Sequence, residues 1–150
     1  MTAYSYLIDE GRWEEWFKLF SDDAVVEVTT PTLGTVIVKG KGFREFVNLR
    51  YVAPSVGSSA VRRHTMGNVH VAEQTATMAK VRIFLFISSV PKADHLNIMS
   101  SGTYNATLEK RNGKWIITRW YIECDAPLAP SPIPEGLRAD EMQLIADPRL

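Results

Sequence analysis

The chain has 150 residues, 17 Lys and Arg against 17 Asp and Glu, 45% hydrophobic residues and a single cysteine. That length is one domain able to bury roughly two thirds of its unfolded surface. The balanced charge offers no field to draw in nucleic acid or an anionic membrane. The longest apolar run, Ile83 to Ile87, is far short of the roughly 20 residues of a membrane span. Residues 1–20 lack a basic start followed by an apolar stretch, so a soluble, cytoplasmic protein is expected. Cys124 alone can form neither an internal disulfide nor a zinc site, which fits a reducing compartment.

Tyr4, Leu7 and Ile8 stand at i, i+3, i+4, and after Gly11 the set Trp13, Trp16, Phe17 and Phe20 repeats that spacing, which predicts two short helices. Asp22 and Asp23 break the pattern. The β-branched run Ala24 to Thr30, the turn at Pro31 and the run Thr35 to Lys39 predict a hairpin. Behind Gly40 and Gly42, Phe43, Phe46, Val47 and Arg50 return to helical spacing, and this third helix should stop before Pro54. From about Val61 strands dominate: Val69 and Val71 alternate with polar residues, and Thr75 to Ser89 ends in the run IFLFI. Asn97 to Lys110 and Trp115 to Cys124 flank Asn112-Gly113, a strong hairpin signal. Helices first and antiparallel strands after predict an α+β fold, three N-terminal helices packed on one face of a curved, mostly antiparallel sheet. Residues 1–125 should be the domain. The remainder, 126–150, carries Pro127, Pro130, Pro132, Pro134 and Pro148 and reads as an extended tail, a lid or an inter-subunit arm, with one short turn near Ala139 to Ile145.

Several of these residues fall in a familiar order. Tyr4 precedes Asp9 by five residues and Asp9 precedes Trp13 by four, and Phe20-Ser-Asp22-Asp23 follows. Gly40-Lys-Gly-Phe43 precedes the third helix. Arg63-His64 with Asn68 enters the third strand, and Gly102-x-Tyr104 comes before Gly-Lys-Trp115. Together they resemble the SnoaL-like family of the nuclear-transport-factor-2-like superfamily, of the scytalone dehydratase and bile-acid dehydratase type. The resemblance implies a cone-shaped α+β barrel around an apolar cavity and cofactor-independent elimination chemistry. It also implies a catalytic pair of an Asp on the first helix and a His on the third strand, here Asp9 and His64. In this type another acid or histidine often sits on a middle strand. Here the middle strand offers Val81, Ile83, Phe84 and Leu85, a greasier wall.

The chemistry agrees with those assignments. Removing a carbon-bound proton near neutral pH wants an imidazole base. A carboxylate on one ring nitrogen fixes the tautomer and stabilises the imidazolium, the part Asp9 would play for His64. Tyr4 could donate to a departing hydroxyl or an enolate oxygen. Tyr51, Asn68, Ser101, Tyr104 and Trp120 are the expected substrate-contacting residues. On the last strand the more apolar alternation set, Ile116, Thr118, Trp120, Ile122 and Cys124, should face the cavity. His70 lies six residues from His64, on the same face of an unbroken strand, but a bulge at Gly67 would turn it outward. His95 reads as a solvated loop residue.

Three dispersed histidines make a poor metal site, and Gly40-Lys-Gly42 lacks a phosphate-loop spacing, so neither metal nor cofactor is expected. The partner should be a small hydrophobic, oxygenated molecule, polycyclic compounds included. Strands such as Val81 to Ile87 are apolar on both faces and predict a homodimer or homotrimer. The function expected is a dehydratase-type lyase or isomerase. The alternatives are a non-catalytic ligand-binding module or accessory subunit of the same fold, and a polyketide cyclase or epoxide-opening enzyme.

Overall fold

In a computed structural model the chain is described over residues 2–31, 34–53, 61–90, 96–125 and 143–145. The elements run α1 (Thr2–Asp9), α2 (Trp13–Phe17), β1 (Phe20–Thr30), β2 (Gly34–Lys39), α3 (Gly40–Val47), a π turn (Asn48–Val52), β3 (Val61–Gln74), β4 (Met78–Val90), β5 (Asn97–Arg111), β6 (Lys114–Cys124) and β7 (Gln143–Ile145). The strands form one sheet in the order β3-β4-β5-β6-β1-β2-β7. Every pairing is antiparallel except β1 with β6. The three helices and the sheet are those expected.

Local chemistry accounts for the turns that set this frame. Asn112 and Gly113 both take positive φ, 51° and 78°, the pair a two-residue hairpin demands between β5 and β6. Gly102 is required for another reason. A Cβ there would lie 2.0 Å from the Glu123 carbonyl oxygen, so only glycine lets β5 approach β6 so closely.

Three boundaries differ from the sequence reading. The second helix ends at Phe17, and Phe20 opens β1 beside Ile117, because the Ile117 amide bonds the Leu19 carbonyl at 2.8 Å. Parallel pairing there captures the residues that would have continued the helix. The third helix does not stay α: after Val47 it winds as a π turn through Val52. Gln143–Ile145 is a strand where a turn was expected. It pairs with β2, whose outer edge would otherwise be left open. The rest of the tail expectation, residues 126–142 and 146–150, and His95 lie outside the described residues.

The core lies between the helices and one sheet face. Tyr4, Trp16, Phe20, Phe43 and Trp120 form an aromatic cluster with ring centroids 4.6 to 6.3 Å apart, and Ile83 on β4 is wholly buried. Each such side chain contributes about 1.5–3 kcal/mol by leaving water. The other face of β4 is bare: Phe84 is 53% exposed and Phe86 41%. No helix among the described residues is long and apolar enough to cross a membrane.

Candidate active site

Helix α1 ends in a glycine stop. Gly11 takes φ 69°, the Gly11 amide bonds the Ile8 carbonyl, and the Arg12 amide reaches back to Leu7 at 2.8 Å. This Schellman geometry fixes Asp9 as the last helical residue. A carboxylate there faces the negative end of the helix dipole, locally unfavourable by about 0.3–1 kcal/mol. What offsets it comes from β3. The His64 amide donates to Asp9 Oδ2 at 2.8 Å, and His64 Nδ1 stands 2.6 Å from Asp9 Oδ1. Both side chains are about nine-tenths buried. One carboxylate therefore grips both the backbone and the ring of the same histidine.

A carboxylate only accepts, so the ring nitrogen facing it carries the proton. Nε2 makes no hydrogen bond to any described residue. The register of β3 turns the ring inward: His64 pairs with Ile87 and Met66 with Leu85, while the alternating Arg63 and Thr65 are exposed.

His64 lines two spaces. One is a narrow apolar cavity of about 60 Å³, walled by residues including Tyr4, Trp16, Phe43, Tyr51, Leu85, Tyr104 and Trp120. The other is an open groove of about 570 Å³ between α1 and β3, lined by Tyr6, Asp9, Glu10, Arg63, Met66 and Val69 among others. The narrow space is small against the roughly 300–1,000 Å³ of ordinary ligand pockets, whereas the groove falls inside that range. His64 is common to both linings, and Asp9 belongs to the groove alone.

Tyr4 lies deep in the cavity wall, stacked on Trp120 at 4.6 Å and edge-on to Tyr104 at 5.7 Å. Burial pushes its hydroxyl well above the usual tyrosine range; hydrogen bonding from Tyr104 pulls the other way. Tyr104 is raised as well, first by burial and then by Tyr4. Both stay neutral hydroxyls at any ordinary pH. The Trp120 indole N–H, close enough to Tyr4 to lower its pKa, meets no acceptor at hydrogen-bonding geometry.

Of the expected substrate-contacting residues, Tyr51, Tyr104 and Trp120 line the cavity and Asn68 and Ser101 do not. Asn68 is the exposed residue of a β3 bulge and takes φ 50°. Ser101 faces the other side of the sheet, opposite Phe86, and donates to Asp125 at 2.8 Å. Ser101 and Tyr104 are three residues apart, an odd separation that an extended strand places on opposite faces. Alternation on β6 also slips. Trp120, Ile122 and Cys124 do face the cavity, but an extra residue near Thr118 shifts the phase, so that Ile117 is the buried neighbour. His70 is exposed beyond the β3 bulge, as Gly67 foretold.

A family profile described as the SnoaL-like domain matches residues 1–121. Solved structures agree on the fold. A single-residue variant of Rv3472 from Mycobacterium tuberculosis, described as a protein of unknown function, is 22% identical over 81% of this chain at a TM-score of 0.66. This chain spans only 65% of that one. The β subunit of benzoate 1,2-dioxygenase from Burkholderia mallei superposes at 0.71, with 16% identity over 83% of this chain and 85% of that one. A candidate scytalone dehydratase from Novosphingobium aromaticivorans superposes at 0.64, with 20% identity over 88% and 90%. No curated protein matches the sequence.

Proposed function

The chain belongs to the SnoaL-like family, and we propose that within it the protein is a cofactor-independent lyase or isomerase, a dehydratase-type enzyme acting on a small hydrophobic, oxygenated molecule. The observation that carries this reading is the 2.6 Å contact of Asp9 with His64 at the wall of a narrow apolar cavity. His64 Nε2 is the base. It takes a proton from the carbon next to a carbonyl, and the electron pair moves onto the carbonyl oxygen as an enolate. Asp9 holds the ring and balances the imidazolium. Tyr4 donates a hydrogen bond to the developing oxyanion. The enolate then collapses, expelling a β-hydroxyl that leaves as water with the proton His64 had taken. The net change is loss of water with no redox step. Returning the proton to a different carbon gives the isomerase outcome from the same groups.

The narrow cavity suits the reacting end of the molecule and the α1–β3 groove the remainder, which is how a polycyclic substrate would be accommodated. The proposal extends to a cytoplasmic homodimer or homotrimer. Cys124 is a buried thiol in no disulfide, and Phe84 and Phe86 form an exposed apolar patch that a second copy would cover. Sedimentation at micromolar concentration checks the assembly, and a monomer contradicts it. The activity is tested by incubating the protein with a panel of hydroxylated polyketide-like and steroid-like ketones and following loss of water by mass spectrometry. Turnover by the unaltered protein and none by His64→Ala supports the reading. Equal turnover by both sinks it.

A further inference from the structure

The groove between α1 and β3 holds a cation that the fold leaves without a counterion. Arg12, Arg44, Arg111 and Arg119 each meet a carboxylate. Arg63, on the groove wall and next in sequence to His64, meets none among the described residues. Its side chain makes one hydrogen bond there, from Nη1 to the Arg62 carbonyl at 2.8 Å. A guanidinium carries its N–H donors in a planar fork, so most of them stay available. The two carboxylates on the same wall are already occupied. Asp9 accepts twice from His64, and Glu10 pairs with Arg12.

The rest of this wall is apolar and open. Tyr6 on α1 is 63% exposed and Val69 on β3 53%, and Met66 is half-buried in the same lining. Because β3 is the edge strand of the sheet, the groove meets both of its alternation sets, His64 and Met66 from one and Arg63 from the other. Its volume of about 570 Å³ accommodates a drug-sized molecule. Exposed apolar side chains beside an unpaired guanidinium match an occupant with a flat apolar body ending in a carboxylate. A cation would instead meet Asp9 and Glu10 with their oxygens engaged, and a neutral oxygen would leave the charge of Arg63 unbalanced.

We infer that the α1–β3 groove is a binding site for a carboxylic acid with a flat apolar body, its carboxylate held by Arg63 and its body lying against Tyr6, Met66 and Val69. This rests on the elimination reading for its place in the reaction, since it gives a chemical class to the part of the substrate outside the narrow cavity. It concerns binding, however, and is tested without turnover.

The probes are cinnamate and cinnamamide, which share one flat body and differ in charge; neither carries a hydroxyl to lose, so the outcome does not depend on His64 acting as a base. In methyl-observed NMR titrations of the full chain at low salt, cinnamate should bind more tightly than the amide, and both should shift the Met66 and Val69 methyl signals. Arg63→Gln should weaken cinnamate about fivefold, the upper end for an exposed ion pair, and leave cinnamamide unchanged. Raising the salt to about 1 M should erase most of the preference. Equal losses for both probes in Arg63→Gln, no loss for either, no binding of either probe to the unaltered protein, or binding that leaves the Met66 and Val69 signals unmoved overturns the inference. Cinnamate binding that depends on Arg63, in a protein that turns over no ketone of the panel, keeps the site and removes only the elimination chemistry.

Discussion

Strand β3 carries two histidines in two different settings. From Val61 to Met66 it runs beneath α1, with alternate residues turned inward and His64 gripped by Asp9. Beyond the bulge at Asn68 every residue through Gln74 is exposed, and His70 stands opposite Arg82 on the outer face. The residue type is the same and the strand is continuous. What separates the two is a helix end that supplies a carboxylate and one inserted residue that reverses the facing. An imidazole becomes a candidate base here by register and cover, not by its own chemistry.

The comparison breaks if the two histidines behave alike. His64→Ala should lower kcat/KM by about 10²- to 10⁴-fold, the usual contribution of a positioned base. Steady-state kinetics on any substrate found in the panel would check it. Asp9→Asn should come next in activity. Asp9→Ala adds a stability loss of about 1–3 kcal/mol, because the buried His64 amide loses its acceptor. Urea unfolding measures this, and an unchanged midpoint would mean the clamp contributes nothing.

Alkaline pH probes the tyrosines behind the dyad. Tyr4 and Tyr104 are raised above the ordinary tyrosine value in the folded state, chiefly by burial. A raised pKa contributes stability below the unfolded value and loses it as pH climbs beyond that value. Stability should therefore begin to fall near pH 10 and keep falling as the pH climbs further, and Tyr4→Phe should flatten the fall. Equal slopes in the two proteins would contradict the burial argument. At the bulge, Asn68→Val forces a β-branched residue into left-handed backbone and should cost about 1 kcal/mol, whereas Asn68→Gly is tolerated. Thermal melts separate the two. The smallest effect expected is that of His70→Ala, which should leave both activity and melting temperature unchanged.

Much of this frame was legible in the chain. The α1 stripe, the Asn112-Gly113 turn and the alternation of β4 follow from periods that single residues display openly. The outward His70 followed from parity plus a glycine where a bulge could form, whereas the inward His64 rested on the family resemblance. The slips near Thr118 and Val47 were harder, because one inserted residue changes no composition and leaves no turn signal. The cost shows at particular positions. Ser101 was expected in the cavity although its odd separation from Tyr104 argued against it. Phe20 continued a helical pattern that parallel pairing with β6 overrides. Arg50 belonged to a stripe whose centre the π turn moves to Tyr51. Nor does residue spacing report volume, so the narrow space beside a wide groove had no counterpart in the sequence.

The central claim is that Asp9 fixes His64 as an Nε2 base, and nitrogen-detected NMR of the imidazole tests it without any substrate. At neutral pH the account predicts a proton on Nδ1, protected from solvent, and a bare Nε2, with the Nδ1 proton losing its protection in Asp9→Ala. A ring protonated on Nε2 alone, or an Nδ1 proton that exchanges freely in the unaltered protein, would contradict it.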